Sequence, residues 1–250
     1  MIRLRDVTVA YGERVVLDHI DLDIYDGETL AILGASGSGK STILRLIIGL
    51  QKPTSGSIWI HGEDITQYTE EEMDEVRRQM GMVFQYSALF DSMTVGENVA
   101  FGPRQRTKYT EDKIQAIVKD KLHLVGLDGI EQMMPNDLSG GMKKRVSLAR
   151  AIALDPKVIL YDEPTAGLDP LRCRDINHLI VSMQRHLQAT SVLVTHDMTS
   201  AFAVADRMAF LQDGRFRLIA SKEEFKHTQD QEVQQFIHGG ELPGERETAI

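Results

Sequence analysis

The chain has 250 residues, 42% of them hydrophobic and 26% charged, with 28 Lys and Arg against 37 Asp and Glu for a formal charge of −9. That is enough for a large globular core; no apolar run approaches the roughly 20 residues of a membrane-spanning helix, and the acidic field disfavours nucleic acid as a main ligand. One cysteine, Cys173, excludes an internal disulfide, and residues 1–6 lack the basic-then-apolar pattern of a secretory leader, so a cytosolic chain is expected.

Alternating apolar residues predict half-buried strands over 3–9 and 20–24. Asp26-Gly27 reads as a tight hairpin turn into the continuous apolar strand 29–33. That strand runs into Gly34-Ala35-Ser36-Gly37-Ser38-Gly39-Lys40-Ser41, which matches G-x-x-x-x-G-K-[ST] between a strand and a helix carrying Ile43, Leu44, Ile47 and Ile48. Glycines let successive N–H groups face a polyphosphate, and the helix N-terminus adds a positive dipole. Lys40 supplies a point charge for the β- and γ-phosphates, and the Ser41 hydroxyl suits Mg²⁺. Nucleotide binding over residues 34–42, Thr42 included, is the expectation.

Residues 56–60 with His61-Gly62 predict a second hairpin, and Thr69 with Glu72 has capping-box spacing for a helix running to about Met80. A mostly helical lobe is expected over about 90–140. Within it, 91–106 should be looped in part because of Gly96, Gly102 and Pro103, and a second helix should start near Thr110 with Ile114, Ile117, Val118, Leu122 and Val125 on one face. Leu138-Ser139-Gly140-Gly141-Met142 then opens a helix, a second anion-binding N-terminus, and Lys143-Lys144-Arg145 on that helix is expected to be a solvated face.

Strands at 158–161 and 191–195, separated by a helix over 175–186, give the βαβ pattern of an open α/β sheet. The first delivers Asp162-Glu163, where an acid at a strand end can hold Mg²⁺ and its neighbour can orient and deprotonate water. The second ends in His196, placed to contact a γ-phosphate. From 225 the chain turns polar, with Val233, Phe236 and Ile237 anchoring one last helix before a loose tail over 242–250.

Over about the first 215 residues these motifs, in this order, resemble the ATPase subunits of ABC transporters. The resemblance makes residues 34–41 the Walker A loop, 158–162 the Walker B strand, Glu163 the catalytic carboxylate and His196 the switch histidine. Gln85 falls at the Q-loop, a Mg²⁺ contact and permease sensor, 138–142 at the LSGGQ signature and Ala166-Gly167-Leu168-Asp169 at the D-loop. Tyr11 falls where an aromatic ring stacks on adenine. The implied fold is an α/β ABC-type P-loop NTPase with a RecA-like parallel-sheet core, an antiparallel β subdomain and an inserted α-helical subdomain, spanning 1–224. The implied assembly is a head-to-tail homodimer with ATP and Mg²⁺ between the Walker loop of one subunit and Ser139, Gly140 and Gly141 of the other, beneath integral-membrane permease subunits on the cytoplasmic face of the inner membrane.

The signature's usual Gln is Met142 here, which costs the amide's hydrogen bonds. This signature variant, the string 162–170 and the ending around Phe236-Ile237-His238-Gly239 are similar to the Mce-associated, Mla-type subfamily. That similarity implies lipid cargo, an Mce-domain partner and a dimerisation arm over 225–250. An importer ATPase for amino acids or metal complexes shares the same chemistry and stays open. A chromosome-maintenance or translation ATPase would need coiled-coil insertions or two motif sets, and a P-loop kinase would have no use for residues 138–142.

Overall fold

The computed structural model describes residues 1–239; the tail expected over 242–250 lies outside the described residues. The chain begins with β1 (Ile2–Tyr11), β2 (Arg14–Ile24), β3 (Thr29–Leu33), α1 (Lys40–Ile47), β4 (Ser55–Ile60) and β5 (Glu63–Asp64). There follow α2 (Glu70–Arg77), β6 (Met80–Val83), α3 (Val95–Arg106), α4 (Glu111–Leu124), a 3₁₀ turn (Pro135–Asp137), α5 (Gly140–Ala151), β7 (Val158–Asp162) and α6 (Pro170–Leu187). The chain continues through β8 (Thr190–Thr195), α7 (Met198–Val204), β9 (Arg207–Gln212), β10 (Arg215–Ser221), α8 (Lys222–Lys226) and α9 (Gln231–Ile237). Two compact units form among the described residues: Met1–Thr66 with 194–239, and Gln67–Leu193.

In the first unit β2-β1-β4-β5 make an antiparallel sheet. Ile2 and Leu4 point inward from β1, then Val7 and Val9; the parity changes because the register shifts between Leu4 and Val7, where Asp6 sits at φ 52°. The His61-Gly62 hairpin forms, both residues at positive φ. Asp26-Gly27 also turns, with Gly27 at φ 77°, but β2 and β3 do not pair: the turn hands the chain from one sheet to another rather than folding a hairpin. β3 runs parallel to β9, Leu30 opposite Arg207 and Leu33 opposite Phe210, and β9 returns as β10 through Asp213-Gly214. All five residues of β3 are buried, as a strand covered on both faces must be. α1 buries Ile43, Leu44, Leu46 and Ile47. The boundary expected near residue 224 falls inside α8, whose Phe225 is fully buried in this unit.

In the second unit the strand order is β8-β7-β6, with β6 and β7 parallel. α2 has its capping box but ends at Arg77, because Met80 already belongs to β6. Of residues 91–106, expected to be looped in part, 91–94 are non-helical, whereas 95–106, with Gly96, Gly102 and Pro103, form one helix. Thr94 and Glu97 form a capping box, and the buried Asn98 amide binds Phe90 O, Met93 O and Thr94 O at 3.0–3.1 Å while accepting from Phe90 N at 2.8 Å. Those bonds offset the weak helix propensity of Gly96 and Gly102, and Pro103 sits near the end, where Thr107 Oγ1 donates to its carbonyl. α4 starts after Thr110 and buries Ile114, Val118 and Leu122. α5 packs on α3, α4 and β6. A Cβ on Gly81 of β6 would stand 2.3 Å from Ala151 O, so only glycine admits this approach. No helix among the described residues is long and apolar enough to cross a membrane.

Candidate nucleotide site

The candidate residues fall into two groups, one in each unit. The first surrounds the loop between β3 and α1. The start of β3 is fixed by Asp206, whose carboxylate accepts from Thr29 N at 2.8 Å and whose own N–H donates to Thr29 O. Gly34 follows at φ 155°, where a Cβ would lie 2.3 Å from Leu211 O and 2.8 Å from Ser38 Oγ; Gly39, at φ 106°, would drive one to 2.8 Å from Leu17 Cδ2. The loop therefore closes only with glycine at both points. Gly39 also serves as the N-cap of α1 and offers no capping side chain, so the positive end of the helix dipole faces the loop.

Lys40 is 6% exposed and turns back into this loop, donating to Gly34 O at 2.8 Å and Ala35 O at 2.9 Å. Ala35, Ser36 and Gly37 are exposed, whereas Ser38 Oγ is buried with no hydrogen-bond partner. A backbone concavity with a cation and an orphaned hydroxyl fits a polyphosphate. A cleft of about 1160 Å³ runs along Ala35–Ser38, with His196, Gln212 and Phe236 also on its wall. His196 is thus brought to the loop. Asp197 behind it caps α7, accepting from Thr199 N and Ser200 N. Tyr11 ends β1, 53% exposed, with its hydroxyl donating to Gln51 Oε1.

The second group stands at the ends of β6 and β7 and the start of α5. Asp162 ends β7, and Glu163 follows at φ 46° while 9% exposed. A left-handed, buried glutamate is a costly arrangement of the kind that collects at functional sites. Ser139 caps α5, accepting from Met142 N at 3.3 Å, and Ser139 and Gly140 lie exposed. Gly141 is covered by Arg172: a Cβ there would meet Nη1 at 2.9 Å. Asp169 holds Arg172, pairing with Nε at 2.9 Å and capping α6.

Lys143-Lys144-Arg145 is not the solvated face expected. Lys144 is 5% exposed and its ammonium donates to Gln85 O, and Arg145 donates to Val125 O at 2.9 Å. Burial pushes the Lys144 ammonium down, against the pull of Glu163 and then Asp162. The spacing Gly141, Lys144, Leu148 already follows the buried face of α5, so the position was legible even though the residue type misled. Arg150 carries no motif signal of its own, yet it donates to Ser87 O and Ala88 O and lies over the Phe90 ring.

Residues 17–166 match the family model described as ABC transporter. The intermembrane phospholipid transport system ATP-binding protein MlaF of Haemophilus influenzae is 41% identical over 239 residues, which is 96% of this chain and 90% of that protein. A ribonucleotide transport ATP-binding protein, mkl, of Mycobacterium leprae is 41% identical over 95% of this chain and 69% of its own length. Among solved structures, a dimeric ATP-binding cassette in a post-hydrolysis state with ADP and Pi matches at a TM-score of 0.82 and 33% identity, covering 89% of this chain and 99% of that one. A glycine-closed phosphate loop, a strand-end acid pair and a serine-capped glycine helix, in a chain with these relatives, have one common explanation: the chain belongs to the ABC transporter family and is an ATP-binding, ATP-hydrolysing subunit of it.

Proposed function

We propose that this ATPase powers lipid transport, with phospholipid as cargo, through a separate integral-membrane permease, working as a head-to-tail homodimer on the cytoplasmic face of the inner membrane. The cargo rests on the nearly end-to-end match with MlaF, which leaves too few residues unmatched to omit α9. A solute cargo is the second reading, because mkl is named for ribonucleotide transport at the same identity, though over a smaller share of its own length.

Each candidate residue has a chemical part in this reading. Lys40 exchanges its two carbonyl partners for β- and γ-phosphate oxygens, the N–H groups of 34–42 line the polyphosphate, and Tyr11 offers its exposed ring to adenine. Ser139, Gly140 and Gly141 complete the site in the partner subunit. Ser41, Gln85 and Asp162 carry the hard oxygen donors that suit Mg²⁺, which when bound neutralises charge on the phosphates. Glu163 accepts the proton of the water whose oxygen attacks the γ-phosphorus as the bond to ADP breaks and phosphate leaves, and His196 contacts the γ-phosphate. Tyr86, 86% exposed beside Gln85, and the partly exposed Phe84 and Phe90 give the permease an apolar hold.

Purifying the complex from native membranes tests the cargo. An Mce-domain protein and bound phospholipid are the expected companions; a solute-binding protein in place of both would overturn the lipid reading.

A further inference from the structure

Arg150 is half-buried, and among the described residues no carboxylate pairs with it; its partners are two main-chain carbonyls, Ala88 O at 2.7 Å and Ser87 O at 2.9 Å, and the Phe90 ring at 5.8 Å. Its planar fork of donors spends two hydrogen bonds on main-chain carbonyls rather than on a counter-ion, which marks it as a brace for the backbone rather than one half of an ion pair. Its carbonyl partners belong to consecutive residues at positive φ, Ser87 at 63° and Ala88 at 46°, a backbone turn that needs outside support. One and a half turns earlier on the same helix, buried Lys144 donates to Gln85 O. α5 thus grips the segment 85–88 at two points about 9 Å apart along its axis. β6, which delivers that segment, is locked against the end of α5 by the approach of Gly81 to Ala151 O.

We propose that Lys144 and Arg150 are positioning residues that join the Gln85 segment to α5, so that Ser139–Gly141 at the start of α5 and Gln85 move as one part. The inference rests on the proposed nucleotide sandwich for its direction of use: a permease that shifts Tyr86 and its neighbours would shift the serine-glycine tip offered to the other subunit's ATP, and the reverse. Neither residue needs to touch nucleotide.

The test is hydrogen exchange on the full-length protein in a Glu163→Gln background, with and without ATP. In nucleotide-free protein, Arg150→Met should raise exchange of amides 84–90 about tenfold or more while the amides of β7 stay as they were, the signature of local rather than global opening. Arg150→Lys, which keeps the charge but loses the planar fork that fits the two carbonyls and the Phe90 ring, should fall between. With ATP, protection should appear at both 139–142 and 86–90 before the substitution; after it 139–142 should keep its protection while 86–90 loses most of its own, Gln85 being left out of the comparison because in the proposed site it meets Mg²⁺ directly. Wild-type exchange at 84–90 in nucleotide-free Arg150→Met, or an undiminished ATP response at 86–90, would overturn the proposal. If Arg150→Met does not fold, Arg150→Lys combined with Lys144→Met carries the same comparison, and the same two results support or overturn the tether. Absence of any ATP effect at 139–142 before substitution would instead sink the sandwich, and the tether would then stand or fall on the nucleotide-free exchange.

Discussion

Phe236 of α9 packs on Phe210 of β9, ring centroids 4.9 Å apart and planes tilted by 51°, and Phe210 is the residue that pairs with Leu33 just before the phosphate loop. The last helix is therefore fastened to the strand that flanks the loop. Phe225 and Val233 are both fully buried, and Arg217 of β10 holds Asp230 at 2.7 Å and Glu232 at 3.2 Å.

Truncation before Phe225 is accordingly expected to destabilise the subunit itself. Losing the burial of Phe225, Val233 and Phe236 removes on the order of 4 kcal/mol, a drop in melting temperature of roughly 10 °C. In a chain truncated after Gly239, loss of dimer with melting unchanged, read by light scattering with ATP, would isolate a dimerisation role for the residues removed. A shorter chain lacking α8 and α9 that melts as before would contradict the packing described.

Acid should loosen α9. Burial raises the Asp230 carboxyl, but hydrogen bonds from Val233 N and Glu232 N and the Arg217 guanidinium outweigh it and hold the group below its ordinary value. A depressed folded pKa gives stability that is present above the unfolded value and lost as pH falls through the folded one. Protease nicking around α9 should therefore rise as pH drops below the usual carboxylate range near 4, and Asp230→Asn should nick readily at neutral pH with little further change on acidification. A wild-type profile in Asp230→Asn would remove Asp230 as the anchor.

Most of the fold was legible because period and punctuation agree: the strand 29–33, the capping box at Thr69 and the helix after Thr110 are all where local rules put them. The failures have physical causes. Asp26-Gly27 makes its turn, yet a turn does not say whether the strands it joins will pair. Residues 95–106 are helical because Asn98 binds four main-chain groups, a tertiary gain that no propensity scale holds. Lys144 looked like surface because lysine usually is; a carbonyl 59 residues away in sequence makes its burial tolerable. The motif residues were legible because phosphate geometry restricts the backbone: Gly34 and Gly39 have no room for a side chain, whatever the rest of the sequence does.

Gly34→Ala and Lys40→Ala separate the two elements of that loop. The first would place a methyl 2.3 Å from Leu211 O, so the loop must shift or β9 must yield, and both nucleotide affinity and stability should fall. The second keeps the backbone and removes the cation with its bonds to Gly34 O and Ala35 O, so affinity should drop tenfold or more, about 1.4 kcal/mol or greater, while melting falls less than in Gly34→Ala. Titration with a fluorescent ATP analogue alongside thermal melting distinguishes them; unchanged affinity in Lys40→Ala would remove the lysine from the cradle.

Glu163→Gln asks what the acid beside the metal-type Asp162 is for. The amide keeps the size of the side chain, so the left-handed backbone at φ 46° and the burial need not change. What it loses is the ability to take a proton, and a positioned general base is worth about 10²–10⁴-fold in rate. Turnover should fall by that factor while ATP affinity holds, and the ATP-bound dimer should accumulate because the step that removes the γ-phosphate is blocked. Phosphate release and size-exclusion chromatography with ATP read the two effects on one preparation. Full turnover in Glu163→Gln would assign the proton to another group, and slow turnover without a dimer would mean that hydrolysis is not what opens it.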